Sequence, residues 1–180
     1  MESVKDNVIL IGMPGSGKST VGVILAKLLG KSFIDSDIVI QQTTGKLLSE
    51  IIDSEGVDGF VAAEGRINRK IVCTNTVIST GGSAVMNSEA MEYFKKRGVV
   101  VYLSVDQADL AGRLGDLRKR GVVCREGQTL SDIYAERLPL YMKYADITIH
   151  EQGCGNARET AELAAAQIRL FLTERMQNEK

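Results

Sequence analysis

The chain has no tryptophan, one histidine, three cysteines and two prolines among its 180 residues, and neither sign of charge prevails, with 22 Lys and Arg against 23 Asp and Glu. Each scarcity removes a class of protein. Cys73, Cys124 and Cys154 are odd in number and far apart, form no CxxC pair and have no nearby histidine, which argues against a disulfide framework or a zinc site and for a reducing cytoplasm. His150 stands alone near the end of an apolar run and reads as a structural or surface residue. Balanced charge gives no call for a nucleic acid or a membrane as partner. No apolar segment approaches the ~20 residues of a membrane span. The early run VILI is cut short by Gly12 and Pro14, unlike a signal peptide. With no repeat, low-complexity tract or Pro- or Ser-rich linker, residues 1–180 are expected to form one monomeric domain.

What remains is an alternation of short apolar runs with longer amphipathic ones, the pattern of βα units around a parallel sheet buried on both faces. Strands are expected at 8–11, 32–35, 76–80, 99–105 and 146–151. Helices are expected over 18–29, about 43–73 with a break near Gly56, 88–97 and about 156–176. Gly30 and Gly98 occupy positions suited to helix C-caps. Residues 115–128, rich in glycine and basic side chains and weakly periodic, read as a mobile excursion.

The segment GMPGSGKST, Gly12 to Thr20, matches G-x-x-x-x-G-K-[ST] in full and stands between an apolar strand and an amphipathic helix. Its glycines, Gly12, Gly15 and Gly17, with Pro14, Ser16 and Thr20 around them, let backbone N–H groups wrap a phosphate at a helix N-terminus. Lys18 is expected to reach the β and γ phosphates of ATP, and Ser19 to ligate Mg²⁺. About 15 residues on comes FIDSDIVI, where the period of two along a strand is expected to put Asp35 and Asp37 on one face at the ligand-binding edge of the sheet. Asp35 would support the metal, and Asp37 would orient or deprotonate the attacking hydroxyl. Residues 38–70 are expected to hold the acceptor.

In order and spacing these motifs resemble the shikimate kinase family of P-loop kinases, from about Val8 to the last helix. The resemblance implies a three-layer α/β fold, a five-stranded parallel sheet in the order 2-3-1-4-5 and a mobile lid at about 115–128. TGGSAV is similar to the family's glycine loop and implies that Gly81, Gly82 and Ser83 form an acceptor wall, the glycines admitting a ring and the serine making the wall narrower or more polar. RKRGVV resembles the lid motif, without its proline, and implies that Arg120 lies over the transferring phosphoryl group. Arg113 falls where the family stacks a guanidinium on adenine. ERLPLY resembles an Arg-x-Pro-Leu-Tyr helix end and implies that Arg137 meets a substrate carboxylate.

One landmark differs. GFVAAEGR aligns on Phe60 and Glu64 with the family's Phe-Arg-x-x-Glu, so Val61 falls on the carboxylate-gripping arginine. Arg66, five positions on, points roughly 140° away around the helix. A charge-assisted hydrogen bond of ~1.5–3 kcal/mol is thereby lost, an expected weakening of shikimate binding by about tenfold to a hundredfold. The reading is an ATP- and Mg²⁺-dependent kinase of a small hydroxylated molecule, shikimate or a relative. Its alternatives are a sugar acid such as gluconate, a cyclitol or a nucleoside monophosphate as acceptor, or an ATP-binding protein without catalysis.

Overall fold

The computed structural model describes residues 6–115, 117, 122–151 and 154–178. Five strands, β1 (Asn7–Ile11), β2 (Ser32–Asp35), β3 (Thr76–Ser79), β4 (Gly98–Ser104) and β5 (Ile147–His150), form one sheet in the order β2-β3-β1-β4-β5 with every pair parallel. Helices α1 (Lys18–Leu29), α2 (Ser36–Thr44), α3 (Leu48–Asn68), α4 (Ser88–Arg97), α5 (Gln107–Leu114), α6 (Leu130–Tyr144) and α7 (Ala157–Asn178) connect and cover them.

The three layers follow from side-chain alternation in strands buried on both faces. Ile9, Ile11, Ile78, Val100 and Tyr102 point to one face and join Met91 and Phe94 of α4, Leu110 of α5 and Ile133 and Tyr141 of α6. Val8, Leu10, Val77, Val99 and Val101 point to the other, against Val21 and Leu25 of α1 and Ala161, Ala164 and Ile168 of α7. Parallel pairing brings the C-terminal ends of β1, β2 and β3 to one edge, so the residues after each strand meet there.

Several local expectations need correction. Helix α2 starts directly after β2, well before residue 43, because the Asp35 side chain accepts the Asp37 N–H at 3.0 Å and caps it. Asp37 therefore lies in the first turn of a helix and not on a strand face. Gly30 closes α1 in the left-handed region, φ 66°, but Gly98 is extended and opens β4. Its lack of a side chain serves strand approach, since a Cβ there would stand 2.4 Å from the Asn7 carbonyl oxygen. Pro139 lies inside α6 rather than at its end. The expected break at Gly56 is a kink within α3, φ 71° and ψ 179°, and the helix stops at Asn68. Helices α5 and α6 have no counterpart in the periodicity reading. Of the expected lid, residues 116 and 118–121 lie outside the described residues.

Candidate active site

Gly12, Gly15 and Gly17 all have positive φ, which wraps the chain from β1 into α1. No side chain caps α1, so its first N–H groups face the loop's interior, where a phosphate oxygen can accept them. Lys18 is buried and folds back, its Nζ donating to the Gly12 and Met13 carbonyls at 2.9 and 2.8 Å. Burial lowers its pKa to about 8 against the opposing pull of Asp37 and Asp35.

Ser19 Oγ donates to Asp35 Oδ2 at 2.6 Å and lies 3.3 Å from Ser79 Oγ, which gathers oxygen donors from α1, β2 and β3. Asp37 lies beside this group. Burial, and after it the Asp35 charge, push its carboxyl up to about 6, with Lys18 opposing.

A cavity of about 320 Å³ opens next to the loop, and Pro14, Lys18, Ser19, Asp37, Gly82 and Arg137 are among its walls. Gly15, Gly17, Thr20, Gly81 and Ser83 line it as well. The two glycines of its far wall also allow close packing. A Cβ on Gly82 would stand 2.5 Å from Pro14 Cδ, and one on Gly81 would meet Glu64 Oε1 at 2.5 Å and Asp37 Oδ1 at 2.8 Å. Ser83 turns its hydroxyl to Glu64, donating to Oε2 at 2.7 Å. Tyr141 Oη donates to the Gly82 carbonyl at 2.6 Å and fixes the wall from α6.

Arg137, on α6, is 1% exposed. Its Nη2 donates to the Val123 carbonyl, while Nε and Nη1 are buried without a partner among the described residues. Unpaired guanidinium donors in a cavity wall are ready for an anionic or hydroxylated ligand.

Other expected residues lie apart. Val61 is not on the cavity wall; it packs against the small cluster of Ile40, Ile51, Phe60, Ile67 and Val123. Arg66 is exposed, so it does not take over an arginine's place at 61. Arg113, at the end of α5, pairs with Glu151 at 2.7 Å, and its neighbour Leu114 packs on Gly15. Arg120 lies outside the described residues.

Glu64 went unassigned in the sequence, although the signal was present: a lone carboxylate on a helix face otherwise held by Phe60, Ala63 and Ile67, all buried. Leu48 and Phe60, from the region expected to hold the acceptor, and Val122 and Val123, from the expected lid, also line the cavity.

A phosphate loop opposite a carboxylate, with one shared cavity between them, defines a P-loop kinase of small molecules. The family model described as shikimate kinase matches residues 14–169. Over 149 residues the chain is 42% identical to a shikimate kinase of Haemophilus influenzae, spanning 81% of this chain and 83% of that one. With a shikimate kinase of Pasteurella multocida it shares 39% over 168 residues, 91% and 93% of the two chains. The solved structure of shikimate kinase from Acinetobacter baumannii in complex with shikimate matches with a TM-score of 0.82 and 35% identity over 94% of each chain. The chain belongs to the shikimate kinase family, whose members are ATP-dependent phosphotransferases acting on a hydroxyl group.

Proposed function

We propose that the acceptor is shikimate or a close polyhydroxylated relative, and that its hydroxyl meets Asp37 while its opposite end meets Arg137. The observation that carries this reading is the cavity itself, in which Lys18, Asp37 and Arg137 share one enclosure. Lys18, drawn off the loop carbonyls by the phosphates, neutralises charge on the transferring group, and Asp37 orients the attacking hydroxyl and accepts its proton. Arg120 adds a second cation from the lid at 115–128, Arg113 faces the adenine, and residues 38–70 form the acceptor side.

Mg²⁺ belongs to this reading as well, because Ser19 and Asp35 offer the hard oxygen donors that the ion takes. When bound, it neutralises the β and γ phosphate oxygens and fixes their orientation.

We further place the enzyme in the cytoplasm as a single-domain monomer with no nucleic-acid or membrane partner, a reading supported by the balanced charge. Among the described residues no helix is long and apolar enough to cross a membrane.

ADP release measured against shikimate, quinate, gluconate and inositol tests the acceptor. Saturable turnover with shikimate is the expected result, and saturation at micromolar concentration would show that Val61 does not weaken its binding. Turnover confined to gluconate or inositol would replace the assignment.

A further inference from the structure

Glu64 is fully buried on α3, and its Oε1 has no hydrogen-bond partner among the described residues. That oxygen and Asp37 Oδ1 stand 2.5 and 2.8 Å from the point a Cβ on Gly81 would occupy, so α2 and α3 bring two carboxylates to one gap behind the glycine wall. The groups that face Glu64 are Ser83 from the wall, Asp37 from α2, Lys18 from α1 and Arg137 and Tyr141 from α6. Once a triphosphate engages Lys18, Arg137 is the one cation among these left to balance both carboxylates. Position 61, one turn before Glu64, holds a valine committed to an apolar cluster, and Arg66 is exposed. An acceptor that carries its own carboxylate would therefore add a third negative charge beside Glu64 and Asp37, where Arg137 is the guanidinium among the described residues of the wall.

We propose that Glu64 sets the charge specificity of the acceptor site: a carboxylated acceptor such as shikimate occupies the cavity only with a proton on Glu64. The inference rests on the alcohol-kinase reading above. The proton comes from solvent on binding and returns to it on release, and no covalent step is added. Neutral Glu64 keeps its contact with Ser83 and removes one of the two negative charges that meet beside Gly81. Burial pushes its pKa up to about 7, with Asp37 adding to the rise and Ser83, Arg137 and Lys18 opposing it, so the requirement falls within the working range of pH.

The test uses the intact protein with shikimate in two ways: calorimetric titration of protein saturated with a non-hydrolysable ATP analogue, in two buffers of different ionisation heat, and KM from pH 6 to 8 at saturating MgATP. Expected is an uptake approaching one proton per shikimate by pH 8. The KM should also rise by up to about tenfold per pH unit above about 7. Glu64→Gln should flatten the profile. Ser83→Ala removes a hydrogen bond that favours the carboxylate form, so it should move the break to higher pH; if Glu64→Gln does not fold, this variant decides. Binding with no proton uptake, a rise that persists in Glu64→Gln or stays unmoved in Ser83→Ala, or no shikimate binding at pH 6 would each overturn the inference. Proton-linked binding without ADP release from any acceptor would leave it standing and remove the kinase reading instead.

Discussion

Lys18 and Asp37 each have their charged form disfavoured by burial, and their mutual attraction only partly restores it. The consequence is a window in pH. Asp37, raised to about 6, takes a proton as pH falls through that value and can no longer accept one from the hydroxyl. Lys18, lowered to about 8, loses its charge as pH rises through that value in the free enzyme. With the acceptor well below its own KM, kcat/KM for ATP should therefore be bell-shaped with limbs near 6 and 8, since the ratio then reports the free enzyme's groups. A flat profile between pH 5 and 9 would contradict the assignment. Lys18, Ser19 and Asp35 were legible in the sequence because their spacing from one loop is short and fixed. Glu64 stood out in the sequence only as a carboxylate on an apolar helix face; its role comes from Gly81 and Ser83, which the fold alone brings beside it.

Helix α3 shows how one backbone angle places a site. Gly56, at φ 71° and ψ 179°, occupies a region open essentially to glycine alone, and the kink there directs Phe60 to the cavity wall and Glu64 to the gap behind Gly81. Gly56→Ala should destabilise the fold by ~1–3 kcal/mol and raise the acceptor's KM more than that of ATP, measured by thermal unfolding and steady-state kinetics. An unchanged acceptor KM would separate the kink from the site. The break itself was readable from the glycine, as was α1 with its Gly30 cap. Gly98 misled because sequence position does not tell a cap from a close strand contact. Helix α2 was missed because Asp35 caps it while also holding Ser19, two roles that the sequence offers only as alternatives.

Across the whole molecule, the parallel sheet collects the ends of β1, β2 and β3 on one edge, and α6 then delivers Arg137 from more than 100 residues beyond the loop. Strand alternation made the buried sheet legible, whereas its order rested on the family resemblance; long-range placement such as Tyr141 on Gly82 is set by packing, which periodicity does not encode. Nucleotide binding to this preformed edge should stabilise the native state. MgATP at about 100 times its Kd contributes ~2.7 kcal/mol, a rise of roughly 5–10 °C in Tm. Removing the metal with EDTA should shrink that rise and stop turnover; a full shift and full activity in EDTA would remove Mg²⁺ from the account. The most direct test of the whole is the kcat of Asp37→Asn on the acceptor that the unaltered enzyme turns over best. The account predicts a fall of about 10²–10⁴-fold with the MgATP melting shift retained, and unchanged turnover would contradict it.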